Sequence, residues 1–485
     1  MSGRKIDIRH CILLPVVLAV TALLWFAPAG WFGIPGLTPV QQRMIAIFVF
    51  AALMWMMEII PNWATSVLVI VVMLLTVSDN GFSFLCRPEA GKLVEFRSIM
   101  AAFADPVIML FLGGFVMAAV ASKFGMDAII AKALLGLFGK RPKMVLLGFL
   151  ITISMFSMFM SDTATAAMMF AFLAPVLKSL PDDEKGKVGL TLAIPVASNL
   201  GGMGTPIGTP PNAIAIGALE NAGYQIGFLD WMLRMVPFVL VMIIFAWFLL
   251  TRLYPFKSSS IEIKIETDGH RKTWKDYVAW ITFFGTILLW MTEGLTGLNS
   301  NIVALIPVAV FTCTGLFGKD DIGKINWSIL WLVAGGFALG TGLSKTGLAA
   351  ALIGAIPFSS MNVVAVIIVA GCICFFLSTF ISNSATASLL VPILVVVGTA
   401  MADPASANNA QFLGLGGMQA MVPFIAVCAS LAMVLPISTP SNAIASSTGL
   451  VKTGQMARVG LTIGSVGFIL GYLLLTRILP FAMTI

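Results

Sequence analysis

Apolar runs of about 20 residues recur along nearly the whole of this 485-residue chain, and they leave few folds open. A helix needs ~20 apolar residues to cross ~30 Å of hydrocarbon. Runs of that kind lie near 12–30, 40–58, 63–78, 106–122, 233–251, 277–293, 301–317, 328–344 and 459–480. Regions 144–178, 363–401 and 418–450 are apolar but too long for one span, and 188–219 is interrupted by Gly and Pro. Charge is too sparse for a water-facing surface: Lys, Arg, Asp and Glu together make 10% of the chain, against ~25% in soluble domains. The expected fold is therefore an all-α polytopic membrane protein.

The same composition excludes several functions. The net charge of +7 is scattered between apolar runs rather than gathered on one element, so no nucleic acid is expected. The six cysteines form no CxxC pair, and the two histidines, His10 and His270, sit in polar segments. Neither a zinc site, nor haem ligation, nor histidine catalysis is supported. Arg4, Lys5 and Arg9 followed by an apolar run and Ala27-Pro28-Ala29 could be a signal peptide. A retained first transmembrane helix over residues 1–30 is the expectation here. The longest polar stretch, 252–276, looks like a cytoplasmic linker, and its alternation from Ile261 to Glu266 could form a short strand.

Three motif blocks occur twice, in the same order. Gly113-Gly114-Phe115 with Ser122, Lys123 and Gly125 reappears as Gly335-Gly336-Phe337 with Ser344, Lys345 and Gly347. The run from Ser161 to Ala166 reappears from Ser382 to Ala387, and Pro206–Ala215 returns as Pro436–Ala445 with eight of ten residues unchanged. The chain thus divides into repeat 1 over 31–251 and repeat 2 over 277–485. With the N-terminus in the cytoplasm and 144–178 and 363–401 as hairpins, cytoplasmic segments hold 21 of the 28 Lys and Arg. That satisfies the positive-inside rule and makes the repeats inverted.

The chemistry is expected at the interruptions. Two short helices meeting at Ser161–Thr163, and two more at Ser382–Ser384, would make re-entrant hairpins. Non-helical backbone at that depth is tolerated only where it lines a site. The stretch Gly201–Asn212 cannot be continuous helix, because Pro lacks a donor and clashes with the preceding turn. Pro436–Asn442 repeats the break, and interrupted spans at matching places in two repeats point to a transporter's binding site. Free carbonyls at one half-helix end suit a small cation, and oriented N–H groups at the other suit an anion. No Lys or Arg lies in these motifs, so a bound anion would need co-bound cations. A channel would need charged rings or a carbonyl filter, and an enzyme a nucleophile with a base; neither is visible.

Ser161-Asp162-Thr163 and Ser382-Asn383-Ser384 resemble the Ser-Asn-Thr signatures of the divalent anion:sodium symporter (DASS) family. The Gly-Thr-Pro-Pro-Asn and Ser-Thr-Pro-Ser-Asn breaks resemble that family's unwound-helix motifs. With the paired Gly-Gly-Phe blocks, the resemblance covers roughly residues 40–480. It implies a homodimer of protomers with about eleven transmembrane helices plus two re-entrant hairpins, working as an elevator in the inner membrane. The implied activity is sodium-coupled symport of C4-dicarboxylates such as succinate, malate or fumarate. Proton coupling, anion exchange, tricarboxylate or sulfate cargo are the alternatives. Na⁺ would be the co-transported ion, with no organic cofactor. Carried over residue by residue, the first Na⁺ site would use Ser157, Ser161, Asp162 and Gly208. The second would use Ser378, the Ile381 backbone, Asn383 and Ser438. Substrate would meet Asp162, Thr163, Thr209, Asn383, Ser384 and Pro440.

The chain departs from the signature twice. Ser384 keeps a hydroxyl and loses a methyl. Asp162 replaces Asn, and an ionisable group within the membrane is a functional residue by default. Asp162 is expected to be a cation ligand that tunes ion coupling.

Overall fold

Helices begin and end where the apolar runs begin and end, because lipid offers the backbone no hydrogen-bond partner and each span must satisfy itself. A computed structural model describes residues 8–261, 273–355, 361–478 and 480. Those residues are almost wholly helical, with one isolated bridge between Ser78 and Val94. In repeat 1 the principal helices are α1 (Ile8–Phe26), α2 (Pro39–Met57), α3 (Asn62–Thr76), α4 (Pro106–Lys123), α5 (Pro142–Ser157), α6 (Asp162–Ser179), α7 (Gly186–Gly202), α8 (Pro210–Asn221) and α9 (Phe228–Leu253). In repeat 2 they are α10 (Trp274–Met291), α11 (Ser300–Cys313, interrupted at Ala304), α12 (Trp327–Lys345), α13 (Val363–Phe380), α14 (Asn383–Ala402), α15 (Gly417–Leu431), α16 (Pro440–Ser447) and α17 (Thr453–Leu473).

Among the described residues seven helices are long and apolar enough to cross a membrane, with shorter apolar ones beside them. The outward face of α10 carries Tyr277, Ile281, Phe284 and Leu288, all exposed; their spacing places an apolar stripe where lipid is the solvent. The chain is a multi-pass membrane protein. The alternation expected from Ile261 to Glu266 lies largely outside the described residues.

The long regions resolve into pairs. α5 and α6 are joined by residues 158–161, and α13 and α14 by 381–382. Their arms are longer than the short half-helices expected: 18 residues in α13 and 20 in α14, or about 27 and 30 Å at 1.5 Å per residue. The turns take only four and two residues, so the arms fill the apolar regions and length alone does not distinguish them from full spans. What marks them is the packing of their tips.

That packing is reciprocal. α7 lies against both arms of the first pair, and α15 against both arms of the second. After its break each half then leans on the other: α8 packs on α14 and α15, while α16 packs on α6 and α7. Around this core, α12 packs on α3 and α11 on α4. The paired Gly-Gly blocks make these approaches possible. A side chain on Gly113 would collide with the Ala304 carbonyl, and one on Gly335 with Ser66. Small residues let membrane helices close to such distances.

At the end of α6 the chain is clamped to the start of the linker. The buried Glu184 carboxylate accepts the N–H groups of Lys257 and Ser258, both at 2.9 Å, the Ser258 hydroxyl at 2.7 Å and the Gly186 N–H at 3.4 Å. Burial by itself raises its pKa, but these donors outweigh burial and hold it below the ordinary glutamate range. A depressed folded pKa adds stability that is present above the unfolded value of about 4.3 and is lost as pH falls through the folded one. Thermal midpoints in detergent between pH 7 and pH 3 test this. Glu184→Gln is expected to melt below wild type at pH 7, and the gap is expected to close at the acid end.

Candidate functional site

Four helices start at one cavity, and polar side chains cap three of them there. Ser161 and Ser382 stand in extended conformation before α6 and α14, and their hydroxyls accept the N–H groups of Ala164 and Ala385, each at 3.3 Å. Thr209 and Thr439 occupy the same place before α8 and α16, each followed by a proline as the first helical residue. Proline suits that position because its missing N–H would have had no partner. The breaks themselves are tied by equivalent amides. Asn212 Nδ2 donates to the carbonyls of Gly202 and Thr205 at 3.0 and 2.8 Å, and Asn442 Nδ2 to those of Met433 and Leu435 at 3.0 and 2.9 Å.

The cavity measures about 310 Å³, room for about ten waters at liquid density. Ser161, Asp162, Thr163, Gly208, Thr209, Ser382, Asn383, Ser384, Ser438 and Pro440 all line it. Every residue expected to meet substrate is therefore on one wall or another. The opposite side comes from Phe111, Phe115 and Leu332, with Asn62 and Asn326 at the starts of α3 and α12. Among the described residues no Lys, Arg or His lines the cavity, and Asp162 is the one ionisable residue that does. Each helix N-terminus is equivalent to roughly half a positive charge, so the four starts aim a field suited to an anion at the same volume.

Beside each hairpin tip lies a small set of oxygens. The Ser157 hydroxyl is 2.6 Å from Asp162 Oδ1 and 2.7 Å from the Ser198 carbonyl, while the Thr209 hydroxyl donates to Asp162 Oδ2 at 3.4 Å. In the other half the Ser378 hydroxyl is 2.9 Å from Asn383 Oδ1 and 2.8 Å from the Ala429 carbonyl. One hydroxyl proton faces two acceptors in both places. A second hydroxyl from each break donates to the next carbonyl along, Thr205 to Met158 and Ser438 to Thr379 (the latter at 2.7 Å). Gly208 closes the first set: an added Cβ would lie 2.9 Å from both the Gly202 Cα and the Ser157 carbonyl oxygen, and closer still to the Gly202 carbonyl. Ile381 is buried at the second tip, with its N–H donated to Leu377. Ser161 lines the cavity and spends its hydroxyl on the cap.

Sequence reasoning passed over Asn62, Ser198 and Asn199. Asn62 Nδ2 lies 3.3 Å from the Ser382 hydroxyl and 3.2 Å from Glu58, linking the start of α3 to the second tip. Ser198 and Asn199 are buried polar residues inside an apolar helix, a signal that was readable in principle.

The cavity adjoins a vestibule that shares Phe115, Ser161 and Asn326 with it and adds Lys123, Asp127 and Lys324. Asp321 accepts both lysines, at 2.6 and 2.9 Å, and those bonds hold its carboxyl well below the usual range.

Comparison with known proteins gives a consistent picture. The family model described as citrate transporter (CitMHS) matches residues 52–413. A relative named an uncharacterized transporter of Schizosaccharomyces pombe is 31% identical over 90% of this chain, which spans about half of that relative's length. The sodium-dependent dicarboxylate transporter SdcS of Staphylococcus aureus (strain USA300) is 28% identical over 98% of this chain and 92% of its own. The crystal structure of the Alcanivorax borkumensis YdaH transporter superposes with a TM-score of 0.52 at 13% identity, over 78% of this chain and 87% of that one. That last likeness concerns the fold alone.

Gly208 offers a direct test of the first oxygen set. Backbone surrounds the added methyl of Gly208→Ala, so the break must move, at a cost of about 1–3 kcal/mol for such overpacking. Ligand-induced thermal shift and uptake in liposomes should both be lost, whereas Gly285→Ala, which meets nothing within 4 Å, should leave both intact.

Proposed function

The chain belongs to the citrate transporter (CitMHS) family and is a membrane transporter, and from that premise we propose that it imports C4-dicarboxylates by symport with Na⁺. One observation carries this reading: four helix N-termini and two acceptor-rich oxygen sets surround a cavity that, among the described residues, no cationic side chain lines. A dianion there, beside an ionised Asp162, would leave roughly three uncompensated negative charges. Helix dipoles offset part of that, and co-bound cations must supply the rest. Coupling then follows from electrostatics, since the dianion is not stable in the site without the cations.

In this reading the first Na⁺ is held by Ser157, Ser161, Asp162 and Gly208. The second is held by Ser378, the Ile381 backbone, Asn383 and Ser438. Both sets are oxygen donors, which hard cations prefer. The substrate carboxylates meet Asp162, Thr163 and Thr209 on one side and Asn383, Ser384 and Pro440 on the other. The two hairpins, the helices α7, α8, α15 and α16, and the site move as one body against the frame of α3, α4, α11 and α12, as an elevator of inverted repeats. The protein works as a homodimer in the inner membrane with its N-terminus in the cytoplasm. The vestibule with Lys123 and Lys324 then opens inward.

Asp162, where the second half has Asn383, favours a second reading in which a proton replaces one cation, or exchange replaces symport. Citrate or sulfate would then be alternative cargo. A thermal-stability screen with succinate, citrate, sulfate and tartrate, each in Na⁺ and in choline, decides between them. Succinate with Na⁺ should stabilise by about 2.7 kcal/mol at 100 times its Kd, and succinate in choline should do nothing. Equal shifts in both media would sink the sodium-coupled reading. In uptake assays across pH, Asp162→Asn should change the Na⁺ or the pH dependence. An unchanged profile in both would remove Asp162 from the cation set.

A further inference from the structure

One dipeptide of α7 touches both halves of the site. The Ser198 carbonyl accepts the Ser157 hydroxyl at 2.7 Å, and the Ser198 hydroxyl donates to the Asp162 carbonyl at 3.3 Å. Asn199, the next residue, reaches across the repeat boundary. Its Nδ2 lies 3.3 Å from the Thr439 hydroxyl and 3.2 Å from the Ser441 hydroxyl, and it also donates to the Pro195 carbonyl at 2.7 Å. Asn199, Thr439 and Ser441 are all buried. The two hydroxyls flank Pro440, which lines the cavity at the start of α16. A short chain of hydrogen bonds therefore runs from Asp162, through α7, to the opposite helix break.

The duplicate lacks this bridge. Ser157 and Ser198 correspond to Ser378 and Ala429, so the counterpart of Asn199 is Ser430. Ser430 is buried and its hydroxyl has no hydrogen-bond partner among the described residues. The groups it would have to reach are Thr209 and Pro211. Pro211 has no side-chain hydroxyl, and the Thr209 hydroxyl donates to Asp162 instead. A buried polar group is held in place by bonds worth more at low dielectric than in water. Asn199 thus ties the first cation set to the second break, and Ser430 makes no matching tie among the described residues.

We propose that Asn199 is a positioning residue that couples cation binding at the first hairpin to dianion binding at the second break. The proposal rests on the sodium-coupled reading above. Filling the first oxygen set fixes Ser157 and Asp162, and with them the register of α7. Asn199 passes that register to Thr439 and Ser441, so that α16 presents its N-terminus and Pro440 to the substrate. Coupling of this sort is reciprocal: succinate and Na⁺ must tighten one another by the same factor.

The test is succinate binding to the purified full-length transporter at low and saturating Na⁺. Wild type should show a coupling factor within the range of about 5–150-fold usual for such linkage, and Asn199→Ala should lower it at least about fivefold. Ser441→Ala, which removes the bridge from its other end, should do the same, and Ser430→Ala should keep the wild-type factor. A merely structural role would weaken both ligands alike and leave the factor unchanged. If Asn199→Ala does not fold, Ser441→Ala carries the test. A wild-type factor in the folded bridge variant, or an equal loss in Ser430→Ala, would overturn the proposal. A factor of one in wild type itself would instead overturn the sodium-coupled reading.

Discussion

A backbone that breaks inside a membrane must find its own partners, and the rest of this structure follows from how it does so. Four helices begin in the interior, where the first-turn N–H groups that proline has not removed must find partners. Ser161, Ser382 and Thr439 accept one of those groups apiece, and Asn212 and Asn442 fasten the carbonyls just before. All four starts border a shared cavity. A site with positive ends and no positive side chains is thereby built from main chain, and it suits a ligand that must be released again as well as bound.

The second consequence concerns charge. Duplication supplies two copies of a neutral oxygen set, yet this chain has made one of them acidic. Ser157 and Asp162 in the first half stand where Ser378 and Asn383 stand in the second. The shapes match to a few tenths of an ångström, whereas the charges do not. Asymmetry also marks the link between halves, since Asn199 crosses over and Ser430 does not.

Much of this was legible in advance because periodicity and repetition survive in one dimension. The apolar runs near 40–58 and 106–122 correspond to Pro39–Met57 and Pro106–Lys123, since the length of a span is dictated by the thickness of the bilayer. The motifs at Ser161 and Ser382 stood out because polar residues in an apolar run are costly unless used. The Gly-Gly-Phe blocks were visible as a repeat, but their purpose was not: the carbonyl of Ala304 and the side chain of Ser66, against which Gly113 and Gly335 pack, lie far away along the chain. The lengths of the hairpin arms were also misjudged, because turns of only two to four residues leave nearly all of each apolar region to helix.

By itself the sequence determined that this chain lives in lipid, that three motif blocks occur in it twice, and that polar interruptions break its apolar runs at four places. These properties are local or periodic, and each is written in residue type and spacing. Tertiary structure alone decided which oxygens meet. Asp162 with Ser157 and the Ser198 carbonyl, Asn62 with Ser382, and Asn199 with Thr439 and Ser441 are contacts between segments that share no spacing rule. Side-chain direction within packed helices sets them, and that direction is fixed only when every neighbouring helix is in place.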